Sequence, residues 1–282
     1  MNSLKVWLLM GALSIILVLI GGAAFGKSGA ILFFVISLGM NFFSYYFSDK
    51  VAISMTRSRP VSEAEAPELY DITRRLTSQA GMPMPRLYIT PSQQPNAFAT
   101  GRNQSHAAVA VTEGLFRILN RGELEGVLAH ELSHIKNKDI LIGAIAAAFA
   151  GAITMIANII QWGAFLGGMG GRDDDEGGGS FIGALLLAVL APIAALIIQM
   201  AISRSREYLA DQTGARIAGN AEGLADALLK LESAAHRIPM QANPATSHLF
   251  IVNPFSGASI TRLFSTHPPV GERVKRLEKL RI

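Results

Sequence analysis

The chain has 282 residues, half of them hydrophobic, a mean hydropathy of +0.34 and a formal net charge of +4. It contains no cysteine, so disulfides and thiolate metal ligands are excluded, and any metal ligands must be His, Asp or Glu. The Lys and Arg residues are scattered without aromatic interleaving, so we expect no nucleic-acid partner, and the sequence holds no GxGxxG motif and no P-loop.

Two long apolar segments, residues 4–25 and 29–47, begin the chain. Each is about as long as a helix that crosses a bilayer. The first could also be a signal peptide, since Lys5 precedes an apolar run. A second apolar segment directly after a Gly-Lys-Ser-Gly turn favours a retained hairpin instead. We therefore predict an N-terminal transmembrane hairpin over residues 1–47.

Residues 48–139 are predicted to form the first part of a soluble α+β domain with a small sheet. Apolar residues at helical spacing, closed by Gly81, predict a helix over residues 57–81. The stretches after it predict, in chain order, a strand at 86–90, a turn at 96–101, a strand at 106–112 and a short helix at 113–119.

The next element carries the sequence HELSH at residues 130–134 and is predicted to be a helix that starts near Glu123. Residues i and i+4 of a helix share a face, so His130 and His134 can direct two imidazoles at one metal ion. Glu131 can reach a water molecule at that metal. Two neutral imidazoles with a carboxylate as general base are typical of zinc hydrolases.

The apolar stripe of the same helix argues against a purely structural role for the two histidines. His130 and His134 lie well away from this stripe, which consists of Leu124, Leu128, Leu132 and Ile135. Gly126 lies on the histidine side, and we expect it to leave room above the metal.

Two further apolar segments, residues 140–166 and 181–203, predict a second transmembrane hairpin, although either could instead line a groove within the protein. The loop that joins them, residues 167–180, is expected to be solvated, with cation binding by its acidic run as the less favoured alternative. This topology places 23 of the 25 Lys and Arg residues on one side. The positive-inside rule makes that side the cytoplasm, so both termini and the HELSH helix would be cytoplasmic, with the active site at the membrane surface.

Residues 204–282 are predicted to form the second part of the soluble domain. A zinc site of this kind needs a third protein ligand. Glu207 is the best candidate, because the second hairpin can return the chain beside the HELSH helix. Asp211, one turn later on the same face, would accept a hydrogen bond from a ligand imidazole. An exposed polar face with ion pairs is the competing interpretation, and a final amphipathic helix is expected over residues 271–282.

In this order, the motifs resemble those of HtpX-type membrane zinc metalloproteases, which are related to the CAAX prenyl protease group. HExxH alone is shared by many unrelated proteases, whereas the ordered set is far more specific. The similarity covers the two N-terminal apolar segments, NAFATG at 96–101, HELSH at 130–134, the two later apolar segments, EYLAD at 207–211, and THPP at 266–269 with Glu272 and Arg273.

The resemblance implies that Glu207 is the third ligand, that Asp211 orients the first histidine and that His267 lies near the metal. It also implies that the segment after NAFATG forms an edge strand that receives substrate, with contacts assigned to Asn96, Ala97, Phe98 and Ala99. Family members are linked to the degradation of misfolded or damaged membrane proteins. We therefore predict a mainly α-helical integral membrane protein with four transmembrane helices and a cytoplasmic, gluzincin-like α+β metalloprotease domain.

The first functional hypothesis is a zinc-dependent endopeptidase in the bacterial cytoplasmic membrane, with one Zn²⁺ per chain and membrane proteins as substrates. Glu131 would act as the base, and substrate would add as a strand beside residues 106–112. His267 would support the oxyanion or contact substrate, with a structural role in its Pro-rich turn as the alternative. The rival hypothesis is a non-enzymatic membrane scaffold or holdase with a structural zinc, which would have no use for Glu131.

Overall fold

The computed structural model describes residues 2–142, 145, 204–238, 250–251 and 268–282. These residues are mainly α-helical and contain one four-stranded mixed sheet, as predicted. The predictions for loop 167–180, for most of the second apolar hairpin and for His267 fall outside the described residues.

The chain begins with an apolar helix, α1 (Asn2–Tyr46), that is broken at Gly26. Gly26 has φ 63° and ψ −153°, a conformation that glycine adopts far more readily than other residues. The two halves of α1 run side by side. The Asn41 side chain of the second half donates to Ser14 Oγ of the first at 2.8 Å. The two halves therefore form a helical hairpin, and its transmembrane placement stays a prediction.

One helix among the described residues, Gly26–Tyr46, is long and apolar enough to cross a membrane. Val6–Leu19 is a shorter apolar helix. The expectation of four transmembrane helices stays a prediction.

After α2 (Ser48–Met55) and the short strand β1 (Arg59–Pro60), the chain enters α3 (Pro67–Ala80). The prediction of a helix over residues 57–81 is wrong for its first ten residues. Pro60 belongs to β1, and the helix starts only at Pro67, where a missing N–H is tolerated. Gly81 ends α3 in a left-handed conformation with φ 65°, as its position indicated.

The sheet has the strand order β1-β2-β4-β3, with β2 (Arg86–Thr90) parallel to β4 (Ala107–Thr112) and β3 (Ala97–Gly101) antiparallel to β4. The predicted turn at 96–101 is wrong, because Ala97 to Gly101 form β3. Since β4 lies between β2 and β3, it has no open edge, so the expectation that substrate adds beside residues 106–112 is also wrong. The two edge strands are β1 and β3, and β3 is the one beside β4.

Helices α4 (Glu113–Ile118) and α5 (Arg121–Lys136) follow the sheet. The start of α5 is fixed by a capping box in which Asn120 and Glu123 each accept from the other's backbone N–H. This helix packs against α3, β3 and two later helices, α6 (Arg204–Ala218) and α7 (Glu222–Arg237). The last described helix is α8 (Val270–Leu277).

A lysine closes the turn that ends α5. The N–H of Lys138 donates to the carbonyl of Ile135, and the N–H of Asp139 donates to the carbonyl of His134, both at 3.2 Å. This pair of bonds is the Schellman motif, whose left-handed position is usually glycine. Lys138 occupies that position with φ 59°, which costs a residue with a side chain about 1–2 kcal/mol. The turn directs Asp139 back toward His134.

The main hydrophobic core lies between α3, α5, α7 and one face of the sheet. The opposite face of the sheet carries a smaller cluster of Phe98, Ala110, Ala52 and Phe250. Side chains with no exposed surface anchor the main core, among them Leu69, Ile72, Leu76, Leu128, Leu132, Leu228 and Leu231. The core therefore holds α5 from several sides.

Gly126→Ala is expected to lower the free energy of unfolding by about 1–3 kcal/mol. A Cβ at position 126 would lie 2.4 Å from the backbone N of Leu224 on α7, so the two helices would have to separate. Gly122→Ala is the matched control on the same helix, because its Cβ would meet nothing closer than 3.5 Å. Thermal unfolding of both purified variants measures the difference, and equal stability would contradict this packing.

Candidate metal centre

Three side chains from two helices converge on one point. His130 and His134 come from α5, and Glu207 comes from the first turn of α6. Their ligand atoms all lie within 4.8 Å of one another, and no other such group of three occurs among the described residues. The Nε2 atoms of the two histidines are 3.2 Å apart, and each lies 3.7 Å from a Glu207 oxygen.

These separations suit a single metal ion. Two nitrogen ligands bound tetrahedrally at about 2.0–2.1 Å would be about 3.3 Å apart, close to the 3.2 Å between the two Nε2 atoms. The donor set is two imidazoles and one carboxylate, which is typical of catalytic zinc sites. The three residues therefore fit a bound metal.

The close approach of α6 to α5 brings Glu207 to the histidines. A Cβ at Gly214 on α6 would lie 2.9 Å from the Cα of His130, so only glycine fits there. The Ser133 hydroxyl also donates to the carbonyl of Ala210 at 3.0 Å. The expectation that Gly126 leaves room above the metal is wrong, because Gly126 packs against α7 and Gly214 is the glycine beside His130.

Each histidine has its Nδ1 held by a carboxylate, which leaves Nε2 to face the metal. His130 Nδ1 lies 3.0 Å from Asp211 Oδ1, and His134 Nδ1 lies 3.1 Å from Asp139 Oδ1. The structure thus places Asp211 where the spacing of EYLAD indicated. Asp139 was missed by the sequence analysis, because the Schellman turn that directs it to His134 does not follow from helical spacing.

Arg273 anchors Asp211 from the far side of the site. Its side chain is fully buried and donates from Nε to Asp211 Oδ2 at 2.9 Å and from Nη2 to Asp211 Oδ1 at 2.6 Å. Its Nη1 donates to the carbonyl of Ile251 at 3.2 Å. Arg273 belongs to the last of the sequence motifs, but no role was predicted for it. The signal available was an arginine on the inner face of an amphipathic helix.

Burial and nearby carboxylates set the proton affinities of the site. Burial lowers the pKa of His130 to about 4, against the hydrogen bond to Asp211. Burial also disfavours the charged form of His134, but Asp139, Glu207 and Glu131 outweigh it and raise its pKa to about 10. The carboxylates around His134 therefore attract positive charge, and the same attraction would stabilise a bound metal cation.

The carboxylates respond to the same burial. Burial raises the pKa of Glu131 to about 7. It also opposes ionisation of Asp211, yet the Arg273 charge lowers the pKa of Asp211 to about 2. Asp211 is therefore ionised at neutral pH and able to accept from His130.

Strand β3 runs beside Glu131. The N–H of Ala99 donates to the Glu131 carboxylate, and the carbonyl of Ala97 accepts from Ile251 N–H at 3.1 Å. Phe98 packs edge-on against Phe250, with ring centroids 5.5 Å apart. Of the predicted substrate contacts, Ala97 and Ala99 therefore direct backbone groups to the outer edge, whereas the Phe98 side chain is buried.

Asn96 begins this strand. Its carbonyl accepts from Thr112 N–H at 2.9 Å, and its side-chain Oδ1 accepts from Ala97 N–H at 3.1 Å. The bond to Thr112 holds the start of β3 against β4. Successive residues of a strand direct their backbone N–H and C=O groups to opposite sides. Because Asn96 bonds toward β4, the backbone groups of Ala97 and Ala99 point to the outer edge.

Residues 63–281 match the family model described as peptidase family M48. The chain belongs to peptidase family M48. The predicted family resemblance is confirmed, and this M48 protein is a metalloprotease. The matched residues include the three donors, Glu131 and Arg273.

Two M48 relatives show how far the similarity extends. The chain is 78% identical over 282 residues to a protease HtpX homolog of Pelotomaculum thermopropionicum, covering 100% of both chains. It is 56% identical over 276 residues to a protease HtpX homolog of Desulfatibacillum aliphaticivorans, covering 98% of this chain and 89% of that one.

A solved structure shares the fold. The crystal structure of Ste24p from S. mikatae aligns with a TM-score of 0.52 and 19% identity, covering 98% of this chain. This chain spans 65% of the length of that protein. At this identity the similarity concerns the fold alone.

Arg273→Met is expected to lower the free energy of unfolding by about 3–5 kcal/mol, because it leaves the Asp211 charge buried without its partner. Metal affinity should fall with it, since Asp211 then no longer holds His130 in a fixed orientation. Lys275→Met, an exposed position on the same helix, is the matched control and should change neither quantity. Chemical denaturation and metal titration of the purified variants test this, and a stable Arg273→Met protein would contradict it.

Proposed function

We propose that this metalloprotease is a zinc-dependent endopeptidase of the cytoplasmic membrane that cleaves misfolded or damaged membrane proteins at the cytoplasmic surface. The observation that carries the proposal is the convergence of His130, His134 and Glu207 beside the buried Glu131. Three protein ligands would hold zinc and leave a fourth position for the reaction. When bound, the zinc supplies Lewis-acid chemistry, polarising a peptide carbonyl and making water more acidic.

Glu131 would carry the proton transfers. It follows His130 directly on α5, it is buried, and its carboxylate is fixed by the N–H of Ala99. From this position it would take a proton from the attacking water and deliver it to the leaving amine. Asp211 and Asp139 would hold His130 and His134 with Nε2 toward the metal. Arg273 would keep Asp211 in place.

Substrate would pair with the outer edge of β3 as an extended strand. Recognition through backbone hydrogen bonds gives broad side-chain selectivity, as degradation of damaged proteins requires. Because Ile251 already binds the carbonyl of Ala97 and Glu131 accepts from the N–H of Ala99, pairing would start at the Ala99 carbonyl and continue toward Gly101. His267 would contact substrate or support the oxyanion, since it comes three residues before α8, the helix that carries Arg273 to the site.

The exposed surface of α1 supports membrane anchorage. Of 18 large hydrophobic side chains exposed by the described residues, 14 lie between Leu4 and Tyr46, and the other four are Met84, Leu209, Leu229 and Ile282. A soluble monomer rarely exposes so large an apolar patch. Gly26–Tyr46 has 21 residues, a helix of about 31 Å, which matches a hydrocarbon core of about 30 Å.

The scaffold or holdase hypothesis does not account for Glu131. A structural zinc site needs no carboxylate beside an open coordination position. Membership of a peptidase family also favours the enzyme.

Glu131→Gln is expected to reduce protein cleavage by at least about 10²-fold while the chain still binds one zinc ion, because Glu131 acts as base and not as ligand. Glu125→Gln, on the same helix but paired with Arg75, is the matched control and should retain activity. Zinc content and casein cleavage by the full-length protein provide the two measurements. Undiminished cleavage by the Glu131 variant would refute this mechanism.

The same variant tests the substrate class. Expressed in membranes, Glu131→Gln should retain substrates that the unaltered protein cleaves, and these should be mainly membrane proteins. A captured set of soluble proteins alone would overturn the quality-control part of the proposal and leave the zinc chemistry standing.

Single cysteines test the proposed topology in a chain that has none of its own. A cysteine at Ser180 should react with an impermeant thiol reagent added to intact cells, because the loop 167–180 would face outward. Cysteines at Ser62 and Ser233, both exposed on the soluble part, should react only after the cells are opened. The opposite labelling pattern would place the metal centre outside the cytoplasm.

A further inference from the structure

A cavity of about 460 Å³ lies where the base of the α1 hairpin meets the soluble domain. Three separate parts of the chain line it. Trp7 and Tyr45 come from the two halves of α1, Arg102 comes from the turn between β3 and β4, and Lys138 and Ile140 follow α5. Nothing in the proposed proteolytic mechanism uses this cavity.

The cavity carries positive charge without a carboxylate among its lining residues. The guanidinium of Arg102 lies 5.0 Å from the centre of the Tyr46 ring and 2.9 Å from His106 Nε2. No carboxylate in the described part of the chain pairs with Lys138. Asp139, its neighbour, is turned inward to His134. An anion would therefore be attracted here.

Lys138 occupies its position against the preference of its backbone. Its φ of 59° belongs to the left-handed region, and glycine would close the same Schellman turn without strain. The chain thus carries a cation here at a cost in backbone strain. That side chain lines the cavity.

The aromatic residues indicate the depth of the cavity in a membrane. The rings of Trp7 and Tyr45 are stacked, with centroids 6.4 Å apart and planes at 21°. They lie at the opposite end of the hairpin from the turn at Gly26. Trp and Tyr concentrate at the headgroup level of a bilayer, where one side of the ring is apolar and the other is wet. The cavity thus combines headgroup depth, two cations and an apolar wall.

We propose that this cavity binds the headgroup of an anionic glycerophospholipid. Arg102 and Lys138 bind the phosphate, and Trp7, Tyr45 and Ile140 contact the glycerol and the first acyl carbons. A free phosphate ion would use only the cationic half and leave the apolar wall without a partner. The inference rests on the membrane location given under Proposed function.

Tryptophan fluorescence can test lipid binding in the full-length chain. The sequence has two tryptophans, so Trp162→Phe leaves Trp7 as the reporter at the cavity. The protein is reconstituted in phosphatidylcholine vesicles that contain a small fraction of brominated phosphatidylglycerol or, in parallel, brominated phosphatidylcholine. We expect the anionic lipid to quench Trp7 at a mole fraction about tenfold lower than the neutral lipid. Equal quenching by both lipids would overturn the proposal.

A pair of double variants distinguishes lipid binding in the cavity from nonspecific attraction to positive surface charge. Arg102→Gln with Lys138→Gln should abolish the preference for the anionic lipid. Lys50→Gln with Lys136→Gln removes the same charge from exposed positions that do not line the cavity, and should retain the preference. Loss of the preference in both double variants would mean that no specific cavity site exists.

Glycine variants keep the test valid if the double variant fails to fold. Lys138→Gly removes the cation and relieves the backbone, so the protein should be at least as thermostable while the lipid preference falls about fivefold. Arg57→Gly is the matched control, because Arg57 closes an equivalent turn after α2 with φ 54° and does not line the cavity. An unchanged preference in Lys138→Gly would overturn the proposal.

Two further measurements identify the ligand source and the cause of any failure. Glycerol 3-phosphate at millimolar concentration should not relieve the quenching, and full relief would assign the site to a soluble phosphate ester instead. Carbonate extraction and casein cleavage are measured on the same vesicles. A retained, active protein without lipid preference refutes only the lipid site, whereas a protein that carbonate extracts refutes the membrane anchorage and the lipid site with it.

Discussion

A guanidinium without access to water connects the elements of the metal centre. Arg273 is fully buried, and a buried charge is tolerated only with a well-placed partner. Asp211 meets that requirement with two hydrogen bonds, and it also fixes His130 Nδ1. Because Arg273, Asp211 and His130 belong to α8, α6 and α5, one set of bonds sets the positions of three helices and the orientation of one imidazole.

The charges around the site favour a divalent cation. When ionised, the carboxylates of Glu131, Asp139, Glu207 and Asp211 contribute four negative charges. Arg273 and Arg206, whose guanidinium interacts electrostatically with Asp139 and Glu207, contribute two positive ones. The remaining two negative charges equal in magnitude the charge of Zn²⁺. The raised pKa of His134 expresses the same imbalance, because a proton there offsets part of the excess. The donor geometry and the charge balance therefore agree.

Short-range periodicity predicted much of the site. His130, His134 and the Glu207–Asp211 pair follow from helical spacing, since residues four apart share a face. Features that depend on distant parts of the chain were missed. Asn and Gly at the ends of NAFATG suggested a turn, but pairing with β4 makes the segment a strand. The packing of Gly126 against α7 likewise involves residues about a hundred positions apart.

The pairing of Asp211 with Arg273 has a consequence for biosynthesis. Arg273 follows Asp211 by 62 residues and His130 by 143 residues, so the ribosome makes all three metal donors well before the residue that neutralises Asp211. Until α8 emerges, Asp211 has no counter-charge and its burial beside His130 is unfavourable. A chain that stalls before residue 273 therefore lacks the partner that keeps Asp211 in place beside His130, and the last described helix completes the metal centre.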